Sequence, residues 1–193
     1  MSYYPILLDL KDKICIVIGG GRVAQRKVRS LIRAQARIYV VSPTLTAGLK
    51  QPLSKRKIFW IKSDYKKGLL KRAFLVVAAT NNKQINLKVS QDIKNTNRLI
   101  NIVDSPQDSN FIVPAVIQNK GLIICVSTSG QVPYLARRIK EDIKKTIIPQ
   151  YTQALGILKV ARQELKKTCP SAKIRKAILA QLTKRALKYR DAI

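Results

Sequence analysis

Histidine is absent from all 193 residues of the chain. Histidine is the commonest general base and the commonest metal ligand in proteins, so any proton transfer must fall to another side chain. Only three cysteines occur, Cys15, Cys125 and Cys169, and they are far apart. This spacing predicts neither a disulfide framework nor a zinc site, and we expect no permanent metal. Cys15 and Cys125 lie in apolar runs and are expected to be buried.

Acidic residues are also scarce. Ten carboxylates stand against 38 lysines and arginines, which gives a formal net charge of +28. Either these basic residues occupy solvated faces without a specific role, or they attract a polyanionic partner. The charges are spread along the whole chain and form no zinc knuckle, RNP-type motif or basic arm, so we expect no nucleic-acid partner.

Long apolar runs are missing as well. None reaches the roughly 18 residues that a membrane-spanning helix needs, and the first residues lack the basic-then-apolar order of a secretory signal. We therefore expect a cytoplasmic protein with no membrane partner. Hydrophobic residues nevertheless make up 46% of the chain, which is enough for a folded core.

The first part of the chain alternates strand-like and helical segments. Strands are predicted at residues 14–18, 37–41, 58–61, 74–79 and 99–103, and helices at 23–34, 45–53 and 82–94. This alternation predicts an α/β fold, a Rossmann-type doubly wound parallel sheet. Right-handed crossovers then give the strand order 3-2-1-4-5.

The pattern changes after the fifth strand. Residues 111–118 and 122–127 flank Asn119-Lys120-Gly121 and predict a β-hairpin. From residue 132 the chain is helical, and Pro149 and Pro170 divide it into three helices. We predict a Rossmann domain at 1–110, a hairpin and helix at 111–149 and a small C-terminal helical domain at 150–193. Nothing obvious covers the hairpin, which suggests a partner subunit and makes 111–149 a dimerisation region.

A glycine turn follows the first strand and opens the first helix. Its sequence, Gly19-Gly20-Gly21-Arg22-Val23-Ala24, fits GxGxxA, the pattern that places a dinucleotide pyrophosphate at a helix N-terminus. Gly19, Gly21 and Ala24 are therefore candidate cofactor residues, and so is Thr80 after the fourth strand. The acid that usually binds ribose at the end of the second strand is missing, because residues 41–44 read Val-Ser-Pro-Thr. No arginine follows for a 2′-phosphate, so NAD is favoured over NADP.

Elimination among the ten carboxylates selects Asp104 as the candidate for proton transfer. It directly follows the fifth strand, and ligands bind at the carboxyl ends of parallel strands. The alternative is that Asp104 caps the turn before Ser105-Pro106. Asp64 follows the edge strand and is expected to lie away from the switch point between strands one and four.

A second candidate region precedes the helix that starts near residue 132. Ser127, Thr128, Ser129 and Gly130 form either an anion site for the substrate or a simple helix cap. Arg137 and Arg138 follow within two turns and can pair with substrate carboxylates.

Several segments together carry a family resemblance: YPILLDLKDK, CIVIGGGRVAQRKVRSLI, VVAATNN, NIVDSPQDSNFIVPAVI and VSTSGQVPYLARRIKE. They cover residues 4–149. On these residues the chain resembles the dehydrogenase–ferrochelatase part of siroheme synthase, the precorrin-2 dehydrogenase family, in a stand-alone form without the methyltransferase domain. A departure is that Asn81 and Asn82 stand where family members often have acidic residues.

The resemblance implies an enzyme in which NAD accepts hydride from precorrin-2 to give sirohydrochlorin in siroheme biosynthesis. In bifunctional members Fe²⁺ is then inserted as a substrate, so ferrochelatase activity is a further expectation left open. Both tetrapyrroles carry many carboxylates, which supplies an anionic partner for the basic surface. The resemblance also implies a homodimer, an essential carboxylate at Asp104, and NAD contacts at Gly21, Arg22, Val23, Pro43 and Thr44. The alternative is a non-catalytic Rossmann protein that senses NAD or binds nucleic acid.

Overall fold

The computed structural model describes residues 3–146 and 148–188. The chain divides into two compact units, Met1–Val113 and Pro114–Ile193. The predicted division into three functional domains stays a prediction.

The first unit is a five-stranded parallel sheet in the order β3-β2-β1-β4-β5. The strands are β1 Ile14–Ile18, β2 Arg37–Val41, β3 Phe59–Ile61, β4 Leu75–Ala78 and β5 Leu99–Ile102. The helices between them are α1 Arg22–Arg33, α2 Ala47–Ser54 and α3 Lys83–Ile93. The predicted fold class and strand order are confirmed.

The sheet is buried on both faces, which explains its apolar strands. Cys15 and Val17 of β1 pack into one hydrophobic cluster, whereas Ile16 and Ile18 pack into the other. Fully burying an isoleucine or valine side chain contributes about 1.5–3 kcal/mol, so the alternating strand residues anchor both layers. Burial also raises the pKa of the Cys15 thiol to about 11, which leaves Cys15 an unreactive core residue, as expected.

The segment expected to begin the hairpin is instead attached to β5. The Asn110 side chain accepts a hydrogen bond from the amide of Ile100 at 2.8 Å, and the Asn101 side chain donates one to the carbonyl of Phe111 at 3.2 Å. Pro114 then offers no amide proton for a strand ladder. The hairpin strand consequently starts at residue 115, not at the predicted residue 111.

The second unit contains the hairpin and three helices. Antiparallel strands β6 Ala115–Asn119 and β7 Leu122–Val126 precede α4 Pro133–Thr146, α5 Ile148–Thr168 and α6 Ala172–Lys188. The three-helix prediction is confirmed. None of the described helices is long and apolar enough to cross a membrane.

The two faces of the hairpin differ in their surroundings. Helices α4 and α5 contact the hairpin, and Ile117 is buried, so the expectation that nothing covers it is wrong for one face. Strand pleating puts Val116 and its partner Cys125 on the other face, where both are exposed, as is Ile123. The expected burial of Cys125 is therefore also wrong.

Candidate functional site

A cleft of about 450 Å³ lies at the carboxyl edge of the parallel sheet. Its walls are the loops that follow β1, β2, β3 and β4, at residues 18–21, 41–46, 63–65 and 79–81, together with Ile85. Five of the candidate cofactor residues line it: Gly19, Gly21, Pro43, Thr44 and Thr80. The structure thus brings together residues that are up to 61 positions apart in the sequence.

The first two glycines of the turn are required by close packing. Gly19 has a φ of +117°, and an added Cβ would overlap the carbonyl oxygen of Ala79. At Gly20 an added Cβ would overlap the carbonyl oxygen of Thr44. Two backbone hydrogen bonds, from the amide of Gly19 to Val41 at 2.8 Å and from the amide of Thr46 to Gly20 at 3.0 Å, hold the turn against its neighbours.

Substituting Gly19 by alanine should destabilise the fold. The positive φ alone costs about 1–3 kcal/mol for a residue with a Cβ, and the overlap with Ala79 adds to this cost. Gly68→Ala is the matched control, because a Cβ at Gly68 meets nothing within 4 Å. Urea unfolding should show a large loss of stability for Gly19→Ala only. Equal unfolding free energies in the two variants would contradict this description of the turn.

The third glycine faces open space at the start of α1. An added Cβ at Gly21 meets nothing within 4 Å, and Gly21, as the N-cap residue, gives no side-chain cap to the helix. The first intrahelical bond runs from the amide of Gln25 to the carbonyl of Gly21 at 3.0 Å, so the amides of residues 22–24 have no intrahelical acceptor. These amides and the helix dipole fit a phosphate group.

The candidate residues in the first turn of α1 differ in where their side chains lie. Ala24 is completely buried and Val23 packs against the same core cluster, so these two can reach a ligand only through their backbone amides. Ala24 at this position lets the helix pack closely on the sheet. The Arg22 side chain is exposed.

The structure places Asp64 at the cleft through the pairing of its edge strand. Strand β3 pairs in parallel with β2, with Ile61 opposite Val41, and the loop after β3 therefore reaches the same edge of the sheet as the loop after β2. Asp64 is exposed and lines the same cleft as Gly19 and Thr80. Sequence reasoning missed it because a three-residue edge strand gives no sign of how its loop packs.

Asp104 lies beyond the end of β5, outside the lining of the cleft. The amide of Val103 donates to the carbonyl of Ala78 at 2.9 Å, which ties this end of the chain to β4. Asp104 is exposed and has a φ of +63°, a left-handed conformation that is uncommon for residues other than glycine. Such backbone outliers concentrate at functional sites.

The turn after Asp104 is held by a different carboxylate. Asp108 accepts a hydrogen bond from the hydroxyl of Ser105 at 2.5 Å. Within residues 3–146 and 148–188, no hydrogen bond or ion pair engages the Asp104 carboxylate. The turn-capping alternative for Asp104 is therefore not supported, and its carboxylate is accessible to a ligand.

Sequence reasoning missed Lys27 and Asn101, which lie near this carboxylate. The Lys27 ammonium donates a hydrogen bond of 3.0 Å to the side-chain oxygen of Asn101, a buried residue of β5. Burial and the charge of Arg26 lower the pKa of Lys27, while the negative charge of Asp104 acts in the opposite direction. The sequence did carry a signal for Lys27, because its helical spacing from Ala24 and Leu31 puts a charged side chain on the buried face of α1.

The remaining candidate residues belong to the second unit. The amide of Ser129 donates to the Ser127 hydroxyl and the amide of Val132 donates to the Thr128 hydroxyl, each at 3.1 Å. Ser129 and Gly130 both have positive φ. These hydroxyls therefore act as caps before α4, and the contribution of residues 127–130 to substrate binding stays a prediction.

The two candidate arginines of α4 are both exposed. Arg138 forms an ion pair of 3.2 Å with Asp142 one turn later, a contact that is weak at the surface. This exposed pair does not fix the orientation of Arg138 towards a substrate, and Arg137 has no hydrogen bond or ion pair with the described residues. Their pairing with substrate carboxylates also stays a prediction.

A family model described as "Putative NAD(P)-binding" matches residues 6–115. The chain belongs to this NAD(P)-binding family. The match includes the glycine turn, the four loops that form the cleft, and Asp104. The match assigns the first unit to the NAD(P)-binding class of domains.

Individual relatives extend the similarity beyond residue 115. Siroheme synthase of Photobacterium profundum is 35% identical over 183 residues, 94% of this chain and 39% of the relative. Siroheme synthase of Methylobacillus flagellatus is 38% identical over 149 residues, 77% of this chain and 32% of the relative. The chain thus spans between about a third and two fifths of the length of these two relatives.

A solved structure matches nearly the whole length of the chain. The structure of SirC, a precorrin-2 dehydrogenase, superposes with a TM-score of 0.83 at 27% identity and covers 99% of this chain and 100% of its own. The resemblance to the dehydrogenase part of siroheme synthase, predicted from the sequence motifs, is confirmed.

Proposed function

We propose that this protein is an NAD-dependent precorrin-2 dehydrogenase that oxidises precorrin-2 to sirohydrochlorin in siroheme biosynthesis. One observation carries the proposal: the free amides at the start of α1 directly follow glycines that line a cleft of about 450 Å³, in a chain that matches SirC, a precorrin-2 dehydrogenase, over 99% of its length. A cytoplasmic location is part of the same proposal.

The cofactor is held by backbone more than by side chains. The amides of residues 22–24 bind the pyrophosphate, and the absence of a side chain at Gly21 permits close approach. Pro43 and Thr44 contact the adenosine half, and Thr80 lies towards the nicotinamide half. NAD⁺, when bound, supplies the hydride acceptor.

Asp104 is the proton acceptor in this proposal. Loss of hydride from precorrin-2 must be accompanied by loss of a proton, and the chain has no histidine to take it. The accessible Asp104 carboxylate can receive it at an oxygen that no other described residue engages. Lys27, held by Asn101, lies near this carboxylate.

The substrate's carboxylates are bound by cationic and polar groups of the second unit. Arg137 and Arg138 supply guanidinium groups, which suit carboxylates because of their planar, forked geometry. Ser127, Thr128, Ser129 and Gly130 supply hydroxyls and backbone amides.

A homodimer belongs to the proposal as well. The outer face of the hairpin exposes Val116, Ile123 and Cys125, and further apolar side chains of the second unit are exposed, including Tyr134 at 80%. Such exposed apolar surface is typical of protein–protein contacts. Light scattering on the purified protein measures the expected dimer mass.

The proposed reaction is tested with precorrin-2, NAD⁺ and the purified chain, with absorbance recorded over time. Sirohydrochlorin and NADH are expected to appear together. An absence of both above the enzyme-free rate would refute the proposal. Parallel samples with Fe²⁺ or Co²⁺ test chelation, which would consume sirohydrochlorin faster than the enzyme-free mixture. Tight, steeply salt-dependent nucleic-acid binding without oxidation would favour the non-catalytic alternative.

A further inference from the structure

The side chains that line the cofactor cleft carry a negative charge, whereas the net charge of the chain is positive. Of 38 lysines and arginines in the sequence, none is among the described residues that line the cleft. Among the carboxylates of the described residues, one lines it, and this is Asp64. In a chain with a net charge of +28, the described wall of the cleft therefore carries no cationic side chain and one anionic side chain.

Asp64 lies beside the segment that usually binds the adenosine ribose. The amides of Ser42 and Ser63 both donate to the carbonyl of Ile61, at 3.2 and 2.9 Å. The Trp60 indole nitrogen donates to the carbonyl of Ser42 at 2.9 Å. These bonds fasten the loop after β3 to the loop after β2, so the loop that carries Asp64 is tied to the segment where the usual ribose-binding acid is missing.

The lysines that neighbour Asp64 in the sequence form no ion pair with its carboxylate in the described part of the chain. Lys62 lies over the Trp60 ring, 5.9 Å from its centroid, and Lys67 forms an ion pair of 3.4 Å with Asp92. Lys66 is exposed and does not line the cleft. The Asp64 side chain itself has no hydrogen bond or ion pair within the part of the chain that the structure describes.

We propose that Asp64 selects NAD⁺ over NADP⁺. Its carboxylate accepts hydrogen bonds from the ribose hydroxyls of the adenosine half and repels a phosphate at the 2′ position. A carboxylate at the end of β2 commonly does this in dinucleotide-binding folds; here the neighbouring edge strand supplies it. The inference rests on the proposed function only in taking a nicotinamide dinucleotide as the ligand.

The chain contains a suitable optical probe of nucleotide binding. Trp60 is its sole tryptophan, and its indole is hydrogen-bonded to Ser42, which lines the cleft. Titrating NAD⁺ and NADP⁺ against Trp60 fluorescence therefore measures both dissociation constants without any turnover. The wild-type chain is expected to bind NAD⁺ more tightly than NADP⁺.

Two substitutions separate the two effects of the carboxylate. Asp64→Asn removes the charge at almost unchanged shape, so NADP⁺ should bind more tightly and the preference for NAD⁺ should fall about tenfold or more. Asp64→Ala also removes the hydrogen-bond acceptor, so NAD⁺ affinity should fall about tenfold. Glu164→Gln, at an exposed site of the second unit, controls for the change in net charge.

The outcomes separate this inference from the proposed reaction. An NAD⁺ to NADP⁺ preference that stays within about twofold of wild type in both Asp64 variants would overturn the inference, as would a wild-type chain that binds NADP⁺ equally well. A wild-type chain that binds neither nucleotide would overturn both. Altered preference in the variants without any precorrin-2 oxidation by wild type would support the role of Asp64 and refute the reaction.

Discussion

Asp104→Asn is expected to lower kcat for precorrin-2 oxidation about 100-fold or more. A positioned general base contributes about 10²–10⁴ in rate, and asparagine keeps the shape of the side chain but cannot accept the proton. NAD⁺ affinity should stay close to that of wild type, because Asp104 does not line the cofactor cleft. Stopped-flow absorbance with saturating NAD⁺ measures the rate, and Trp60 fluorescence measures the affinity.

Asp108→Asn is the matched control for that substitution. Asp108 lies in the same loop, and its carboxylate is already engaged by the Ser105 hydroxyl, which asparagine can also engage through its side-chain oxygen. We expect this variant to keep kcat within about threefold of wild type, since it removes no proton acceptor. Normal turnover by Asp104→Asn, or equal losses in both variants, would exclude Asp104 as the base.

Gly21→Ala is expected to weaken NAD⁺ binding at least about tenfold while leaving stability almost unchanged. The backbone at Gly21 has a φ of −83° and a ψ of −174°, which alanine adopts readily. Its Cβ would contact no protein atom within 4 Å, so it would instead occupy the space before the amides that bind pyrophosphate. Tenfold corresponds to about 1.4 kcal/mol of binding free energy.

Separate measurements of affinity and stability make this prediction specific. Urea unfolding of Gly21→Ala should give a free energy within about 1 kcal/mol of wild type, in contrast to Gly19→Ala. Gly68→Ala again serves as the control, with unchanged NAD⁺ affinity. If Gly21→Ala bound NAD⁺ as tightly as wild type, the pyrophosphate could not lie against the start of α1.

The sheet and the glycine turn could be predicted from the sequence because local signals determine them. The strands of a covered parallel sheet are continuous apolar runs, as at β4, where all residues are buried. Right-handed crossovers then leave one strand order. The turn is recognisable because its glycines are needed for packing against Ala79 and Thr44.

Features that depend on which elements meet in space could not be predicted. Asp64 reaches the cleft because a short edge strand pairs with β2, and Lys27 meets Asn101 because α1 packs near β5. Cys125 is exposed because one face of the hairpin has no covering element within the described residues. Each of these contacts depends on long-range pairing, which a local run of sequence does not determine.

The charge distribution also restricts how the basic surface can be used. The described lining of the cofactor cleft contains no lysine or arginine, so most of the positive charge lies on other surfaces of the chain. Solvated faces without a role and attraction of a polycarboxylate substrate remain the two explanations of the net charge. The salt dependence of KM for precorrin-2 distinguishes them, because only the second makes KM rise with ionic strength.

A crystal structure of the protein with NAD⁺ bound tests the geometry most directly. The pyrophosphate should accept hydrogen bonds from the amides of residues 22–24, the adenosine ribose should face Asp64, and the nicotinamide ring should point towards Asp104. A cofactor bound in the reverse direction, or a nicotinamide ring remote from Asp104, would contradict both the proposed base and the proposed reaction.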